Sequence, residues 1–303
     1  MSMEINCKAI SDSIKEKVKA EIEIIGKPIL AILQFGDNEA SNSYIKSKLK
    51  ACSEVGIDYR YEKLPIDTSF ESALKLVQSL NLSTSIHAII IQLPLPAHLS
   101  KLPEYINWEK DVDGLSVHST VRQIAGLKAH TPCTAQAVAD LICSFRDQTY
   151  LNTNLQAVNT LIIGRSKLVG IPLARLLIGK NANISICHSK TINLIEFTKF
   201  ADIIISCTGV AGLLKPDMLS DYPIVIDVGI SRVSIDRKSK LQGDLSIDAI
   251  EYTSAYTPVP RGVGLLTVAQ LMKSVLNAYK WQNPQSEILL SDSPTLVLKN
   301  ETK

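Results

Sequence analysis

Tyr44 and Lys48 stand four residues apart in a stretch patterned as a helix, so an aromatic ring and an ammonium leave one face together. A lysine on a partly buried wall can act as a base or proton shuttle, because burial disfavours the charged form of an amine. Amphipathic packing is the ordinary reading of such a pair taken alone. Gln92 closes an apolar run just before Leu93-Pro94-Leu95-Pro96, where two prolines stiffen the chain, so its amide either orients a reactant or ends a strand. Lys110-Asp111-Val112-Asp113-Gly114 sets two acids beside a glycine, which reads as a plain turn or as a carboxylate presented from one. Thr257-Pro258-Val259-Pro260-Arg261-Gly262-Val263-Gly264 is a stiff, glycine-bearing loop of the kind that lines a binding site or connects elements at the surface.

A second constellation suits a nucleotide. Leu161-Ile162-Ile163-Gly164-Arg165-Ser166-Lys167-Leu168-Val169-Gly170 reads as a strand, a glycine turn and a helix start, an arrangement that offers amide hydrogens to a pyrophosphate. Ser166 takes the place of the middle glycine of the common fingerprint, so the turn alone is weak evidence. About twenty residues on, Ile184-Ser185-Ile186-Cys187-His188-Ser189-Lys190 lacks the acid that an NAD enzyme aims at the ribose hydroxyls. Ser189, Lys190 and Arg165 instead supply a hydroxyl and two cations, which complement a 2′-phosphate or sit as solvated surface charges; NADP is the expected cofactor.

The elements that must position these residues alternate strand with helix. Apolar runs at 28–33 and 88–93 read as buried strands, 57–61 alternates like a strand, and 41–55 and 70–80 read as helices, with Gly56 placed as a cap. A helix from about 134 leads out of this α/β unit, and polar residues 148–154 mark a boundary. Four short hydrophobic strands follow at 157–164, 184–187, 202–207 and 224–229, which implies a Rossmann-like, doubly wound parallel sheet. A helix over 265–281 comes last, before a polar, irregular tail at 283–303.

Composition narrows the function classes. The 303 residues are 46% hydrophobic, enough for a sizeable core in two domains. Lys+Arg 32 against Asp+Glu 30 leaves a net charge of +2, so no nucleic-acid partner is expected. No apolar run approaches the length of a membrane span, so no membrane partner is expected either. The charged start resembles no secretory leader, and the cytoplasm is the expected compartment. Six scattered cysteines read as reduced thiols, and five histidines without metal-ligand spacing make a metal centre unexpected.

Taken in order, Tyr44-x-x-x-Lys48 with Lys50-Ala51-Cys52, Gln92-Leu93-Pro94-Leu95-Pro96, Lys110-Asp111-Val112-Asp113-Gly114, Pro132-Cys133-Thr134, Gly164-Arg165-Ser166, Asp227-Val228-Gly229-Ile230 and Thr257-Pro258-Val259-Pro260 resemble the bifunctional methylenetetrahydrofolate dehydrogenase/methenyltetrahydrofolate cyclohydrolase family over about residues 1 to 280. The resemblance implies two domains with a cleft between them. Residues 1–138, with a helix at about 268–282 packing back on them, would be the catalytic, folate-binding domain; 139–267 would be the NADP-binding domain. It implies oxidation of 5,10-methylenetetrahydrofolate with NADP and hydrolysis of the methenyl product to 10-formyltetrahydrofolate, in a homodimer of one-carbon metabolism. By the same resemblance Lys48 serves the hydrolytic step, Gln92 positions it, Tyr44 packs against the aminobenzoyl ring and Asp113 grips the pterin. Pro258 and Gly262 fall on the substrate side, and Gly164, Arg165, Ser166, Val169, Ser189, Thr208, Gly209 and Ile230 on the cofactor side.

The chain departs from the family pattern at Ser119 and Val121 (usually asparagine and glycine), Ala135 (proline), Ser231 (asparagine) and Arg261 (glycine), with Leu265 and Leu266 replacing a proline and a methionine. The alternative these raise is a divergent paralogue that binds folate or nucleotide with lost or altered catalysis.

Overall fold

The computed structural model describes residues 2–147, 155–235 and 238–286; the boundary expected at 148–154 and the tail beyond 286 lie outside the described residues. The chain runs β1 (Met3–Glu4), α1 (Cys7–Ile25), β2 (Ile29–Phe35), α2 (Glu39–Val55), β3 (Asp58–Leu64), α3 (Phe70–Leu82), β4 (Ala88–Ile91) and α4 (Val117–Ile124). It continues through α5 (Cys133–Asp147), β5 (Asn159–Ile163), α6 (Gly170–Ile178), β6 (Asn183–Cys187), α7 (Leu194–Lys199) and β7 (Ile203–Ser206). Then come β8 (Ile224–Asp227), β9 (Ser231–Ile235), β10 (Lys238–Gln242), β11 (Ala255–Tyr256) and α8 (Val263–Gln282). Two compact units result, one of residues 12–133 and 268 onward, the other of 1–11 and 134–267. Among the described residues no helix is long and apolar enough to cross a membrane.

In the 12–133 unit a parallel sheet has the order β3-β2-β4, with Leu30 opposite Ala88 and Ile32 opposite Ile90. Both faces of β2 and β4 are covered, which is why their sequences read as unbroken apolar runs. Leu30, Ile32, Ala88 and Ile90 pack with Val18, Ile22, Val55, Met272 and Val275. Ala31, Leu33, Ile89 and Ile91 pack with Val77, Leu80, Leu99 and Leu102 on the opposite face. The sheet edge β3 is different: Tyr59 and Tyr61 stay exposed, so the alternation in its sequence marks no buried face. The Asn38 side chain opens α2 by accepting from Ser41 N, and Gly56, at φ +86°, closes it with its N–H on Cys52 O.

Lys110 is buried, and its Nζ donates to the carbonyls of Leu80, Asn81 and Ser83 at 3.1, 2.8 and 2.6 Å, satisfying the end of α3. Lys110→Met keeps the bulk but strands three acceptors, and an expected loss of about 3 kcal/mol is measurable by urea unfolding. An unchanged midpoint would show that water takes over all three.

An aromatic stack completes this unit. His130 lies 4.1 Å from Trp281 between ring centroids at 28°, Trp281 lies 6.0 Å from Trp108, and Arg122 sits 3.6 Å above Trp108. Burial pushes the His130 imidazole down to about 4 and leaves its Nε2 without a hydrogen-bond partner.

The 134–267 unit is built on a six-stranded sheet of order β1-β11-β8-β7-β5-β6, with every pairing parallel. It is the doubly wound α/β sheet expected, extended by the two-residue strands β1 and β11, which are too short to leave a sequence period. Ile162, Ile203, Ile205 and Ile226 pack on Val138, Leu141, Leu173 and Leu177. Leu161, Ile204 and Val225 face Leu214, Leu219 and Leu245 on the other side. The β9-β10 hairpin stands outside the main sheet.

Candidate active site

In the 12–133 unit, α2 presents Tyr44 and Lys48 one turn apart, Tyr44 being 45% exposed. Lys48 Nζ donates to Gln92 Oε1 at 3.0 Å across 44 residues of sequence. The Gln92 amide is itself held, since its Nε2 donates to Leu93 O at 2.7 Å and Ser41 Oγ donates to the same carbonyl at 3.2 Å. That fixes which end of the amide meets the lysine and leaves two of the ammonium's three hydrogens for other partners. Cys133 is fully buried, and its thiol is pushed well above the usual range by burial and then by the Asp113 carboxylate, with Lys48 pulling the other way. Asp113 and Lys48 therefore both act on one buried thiol.

The neighbouring acid, Asp111, has a different place. It is buried and accepts from Ser116 N at 2.8 Å and Ser119 Oγ at 2.7 Å, while burial raises its carboxyl. Ser119, one of the departures, is thus a satisfied partner of Asp111 from the first turn of α4. Gly114, at φ +61°, would place a Cβ 2.4 Å from His130 O, so the turn admits no side chain there.

In the 134–267 unit, parallel pairing brings the carboxyl ends of the strands to one sheet edge. Pro258 and Gly262 follow β11, Ile230 follows β8, Thr208 and Gly209 follow β7, Gly164 to Val169 follow β5, and Ser189 follows β6. At about 4.8 Å per strand, β8 to β6 spans about 14 Å. A Cβ on Gly170 would lie 2.1 Å from Gly164 O, and one on Gly164, at φ +131°, 2.6 Å from Cys207 Sγ. The β5 turn thus lies directly on the first turn of α6, backbone against backbone, which is the cradle a pyrophosphate requires. Ser166 Oγ accepts from Val169 N at 3.1 Å, so this serine shapes the turn from within. Arg165, Ser189 and Lys190 are exposed, and neither cation is paired with a carboxylate among the described residues. These residues fit a 2′-phosphorylated dinucleotide.

Ser231 Oγ donates to Gly209 O, so a second departure is absorbed as a local tie. Arg261 is exposed and sits at φ +75°, a conformation in which glycine is unstrained. Sequence reasoning missed the buried carboxylates Asp227 and Asp244; the signal for the first was the Asp227-Val228-Gly229 motif, and for the second only the glycine before it.

Residues 5–113 match the family described as Tetrahydrofolate dehydrogenase/cyclohydrolase, catalytic domain, and residues 132–283 match its NAD(P)-binding domain. The chain belongs to the tetrahydrofolate dehydrogenase/cyclohydrolase family. Within this family it is 38% identical over 283 residues to the Bifunctional protein FolD of Campylobacter hominis, covering 91% of this chain and 96% of that one. It is 36% identical to the Aquifex aeolicus FolD over 92% of this chain and 96% of that one. Among solved structures of tetrahydrofolate dehydrogenase/cyclohydrolases, the Campylobacter jejuni FolD superposes with a TM-score of 0.86 at 35% identity, covering 92% of this chain and 99% of that one. The Trypanosoma brucei enzyme, complexed with NADP cofactor and inhibitor, superposes with a TM-score of 0.84 at 29% identity, covering 92% and 98%.

Proposed function

We propose that this chain oxidises 5,10-methylenetetrahydrofolate with NADP and hydrolyses the resulting methenyl compound to 10-formyltetrahydrofolate. The observation that carries the reading is the Lys48–Gln92 pair one helical turn from an exposed Tyr44, in a chain that matches both halves of the family. Residues 12–133 take the folate in this reading and residues 134–267 the nucleotide. NADP, when bound, accepts the hydride.

The rest falls to the chain's own residues. Asp113 grips the amino group and ring edge of the pterin through two parallel hydrogen bonds, which fixes the position of the reacting carbon. Tyr44 lays its ring on the aminobenzoyl group. Gln92 holds Lys48 in place through Oε1, and Lys48 Nζ moves the proton of the water that opens the methenyl carbon. Pro258 and Gly262 line the substrate side at the end of β11. Gly164, Ser166 and Val169 cradle the pyrophosphate, Arg165 and Ser189 take the 2′-phosphate with Lys190, and Thr208, Gly209 and Ile230 meet the nicotinamide. The reading of a paralogue with lost catalysis has no support in this geometry, since the lysine pair is intact and Ser119 and Ser231 are each satisfied.

Near-ultraviolet absorbance with methylenetetrahydrofolate and NADP, followed by acid quenching to destroy the reduced nucleotide, tests the function. NADPH formation with little methenyl compound left is expected. No turnover with NADP or NAD would sink the reading.

Arg165→Ala combined with Lys190→Ala is expected to raise KM for NADP about 30-fold or more and to leave KM for NAD nearly unchanged, since only the 2′-phosphate loses its partners. Equal losses for both nucleotides would move the 2′-phosphate elsewhere.

We further infer a homodimer formed through the 134–267 unit. β6 is the last strand of the sheet among the described residues, and Phe197 and the 74% exposed Phe200 line a hollow of about 430 Å³ between β5, β6 and α7. Phe200→Glu is expected to shift sedimentation from dimer toward monomer, whereas an unaltered dimer would remove this surface from the interface.

A further inference from the structure

We propose that Asp244 is a positioning residue for the hydride-transfer half of the reaction, holding the segments that leave β7 and β8 in register for the nicotinamide. The inference rests on the reading that Thr208, Gly209 and Ile230 meet that ring.

Asp244 follows β10 and is completely buried. Its Oδ2 accepts three hydrogen bonds, from Ser206 Oγ at 2.6 Å, Thr208 N at 2.8 Å and Thr208 Oγ1 at 2.8 Å. Every donor lies at the carboxyl end of β7 or two residues beyond it. Asp227, the last residue of β8, does the same for its own strand and for Asp244: Oδ1 accepts from Gly229 N at 3.0 Å and Asp244 N at 3.1 Å, and Oδ2 accepts from Leu245 N at 2.8 Å.

Two glycines make the arrangement reciprocal. A Cβ on Gly229 would lie 2.0 Å from Asp244 Oδ1, and a Cβ on Gly243 would lie 2.0 Å from Asp227 Oδ2. Asp227-Val228-Gly229 and Gly243-Asp244 therefore interlock, each aspartate lying on the glycine beside the other. The Ser231 hydroxyl, donating to Gly209 O, ties the same two segments once more, on their exposed side.

The arrangement is electrostatically expensive. Asp244 Oδ1 is buried without a hydrogen-bond partner, and the Asp227 carboxyl is pushed up to about 6, first by burial and also by the charge of Asp244. The Cys207 thiol is raised to about 12 by burial and by the same Asp244 charge. A fold that needed only stability is served as well by apolar packing at such a place. What the carboxylates add is a fixed separation and orientation of Thr208–Gly209 and Val228–Ile230, and hydride transfer is sensitive to displacements of about 1 Å. The hydrolytic step depends on Lys48 and Gln92, which belong to the 12–133 unit and hydrogen-bond to each other there, so the two activities should separate.

The test compares Asp244→Ala, Asp244→Asn and Ser206→Ala in the full-length enzyme. Asp244→Ala is expected to lower dehydrogenase kcat about 100-fold, with cyclohydrolase rates within about 2-fold of normal. Its affinity for NADP should fall while that for 2′,5′-ADP, which lacks the nicotinamide, holds. Asp244→Asn, whose carbonyl oxygen can meet the same donors, should recover most of the loss. Ser206→Ala removes one donor to Asp244 at a residue with no assigned cofactor contact and should cost about 5-fold, and it decides the question if Asp244→Ala does not fold. Folded variants with an unchanged ratio of NADP to 2′,5′-ADP affinity and unchanged kcat would overturn the proposal. Gly209→Val separates the two failures: if it weakens NADP binding where the Asp244 variants do not, the cofactor reading stands and the positioning role falls; if it too has no effect, the cofactor reading is wrong.

Discussion

Replacing Lys48 with methionine is expected to reduce methenyltetrahydrofolate hydrolysis by about a thousandfold while the protein folds normally. The lysine is only half-buried and its one described hydrogen bond goes to Gln92, so methionine keeps the aliphatic stem and removes the nitrogen. The Gln92 amide would keep its orientation, because Leu93 O still takes its Nε2. Dehydrogenase activity should survive in part, since hydride transfer depends mainly on alignment, which Asp113 and Tyr44 would still provide. The measurement is the loss of methenyl absorbance in the variant beside its rate of NADPH formation. Accumulation of the methenyl compound is the expected signature. Unimpaired hydrolysis would take Lys48 out of the mechanism, and equal loss of both activities would make it a binding residue.

The second large effect concerns a single methyl group. Gly170→Ala places a Cβ 2.1 Å from Gly164 O, a backbone contact that no rotamer relieves, so the turn must move off the helix. We expect a stability loss of about 2 kcal/mol and an NADP affinity reduced about 100-fold, because the cradle opens where the phosphates would sit. Gly264→Ala is the matched control. It lies in the first turn of α8, has nothing within 4 Å of the added Cβ and should leave stability equal or slightly higher. Isothermal titration with NADP and urea unfolding of both variants check this. Normal NADP binding by Gly170→Ala would show that the turn is not the phosphate cradle.

Much of the fold is legible because its strands are buried on both faces. The runs at Ile29–Phe35, Ala88–Ile91 and Ile203–Ser206 announce themselves by continuous apolar character, and Gly56 marks a helix end by its conformation. Where burial is absent the signal fails. The hairpin of β9 and β10 mixes serine, arginine and lysine with few apolar residues, and β1 is two residues long. The site divides in the same way. Gly164 and Gly170 are readable because a close backbone approach demands glycine whatever surrounds it. The Lys48–Gln92 bond joins residues 44 apart and came only from resemblance to a family. Ser119 and Ser231 read as departures because their partners, Asp111 Oδ2 and Gly209 O, are visible only once the chain is folded. Asp244 left only Gly243 as a local mark for the same reason, since nothing in the sequence reveals that its carboxylate serves β7.

The chain has two tryptophans, Trp108 and Trp281, and both stand in the stack with His130 and Arg122 inside the 12–133 unit. Indole emission is therefore a private signal of that unit. A chemical or thermal melt followed by tryptophan fluorescence reports the 12–133 unit alone, while circular dichroism reports both. If the two curves separate, the halves unfold independently and a single two-state free energy does not describe the enzyme. The same optics yield a titration: protonating His130 beneath Trp281 should quench the emission as pH falls toward about 4, and a His130→Leu variant should lose that step.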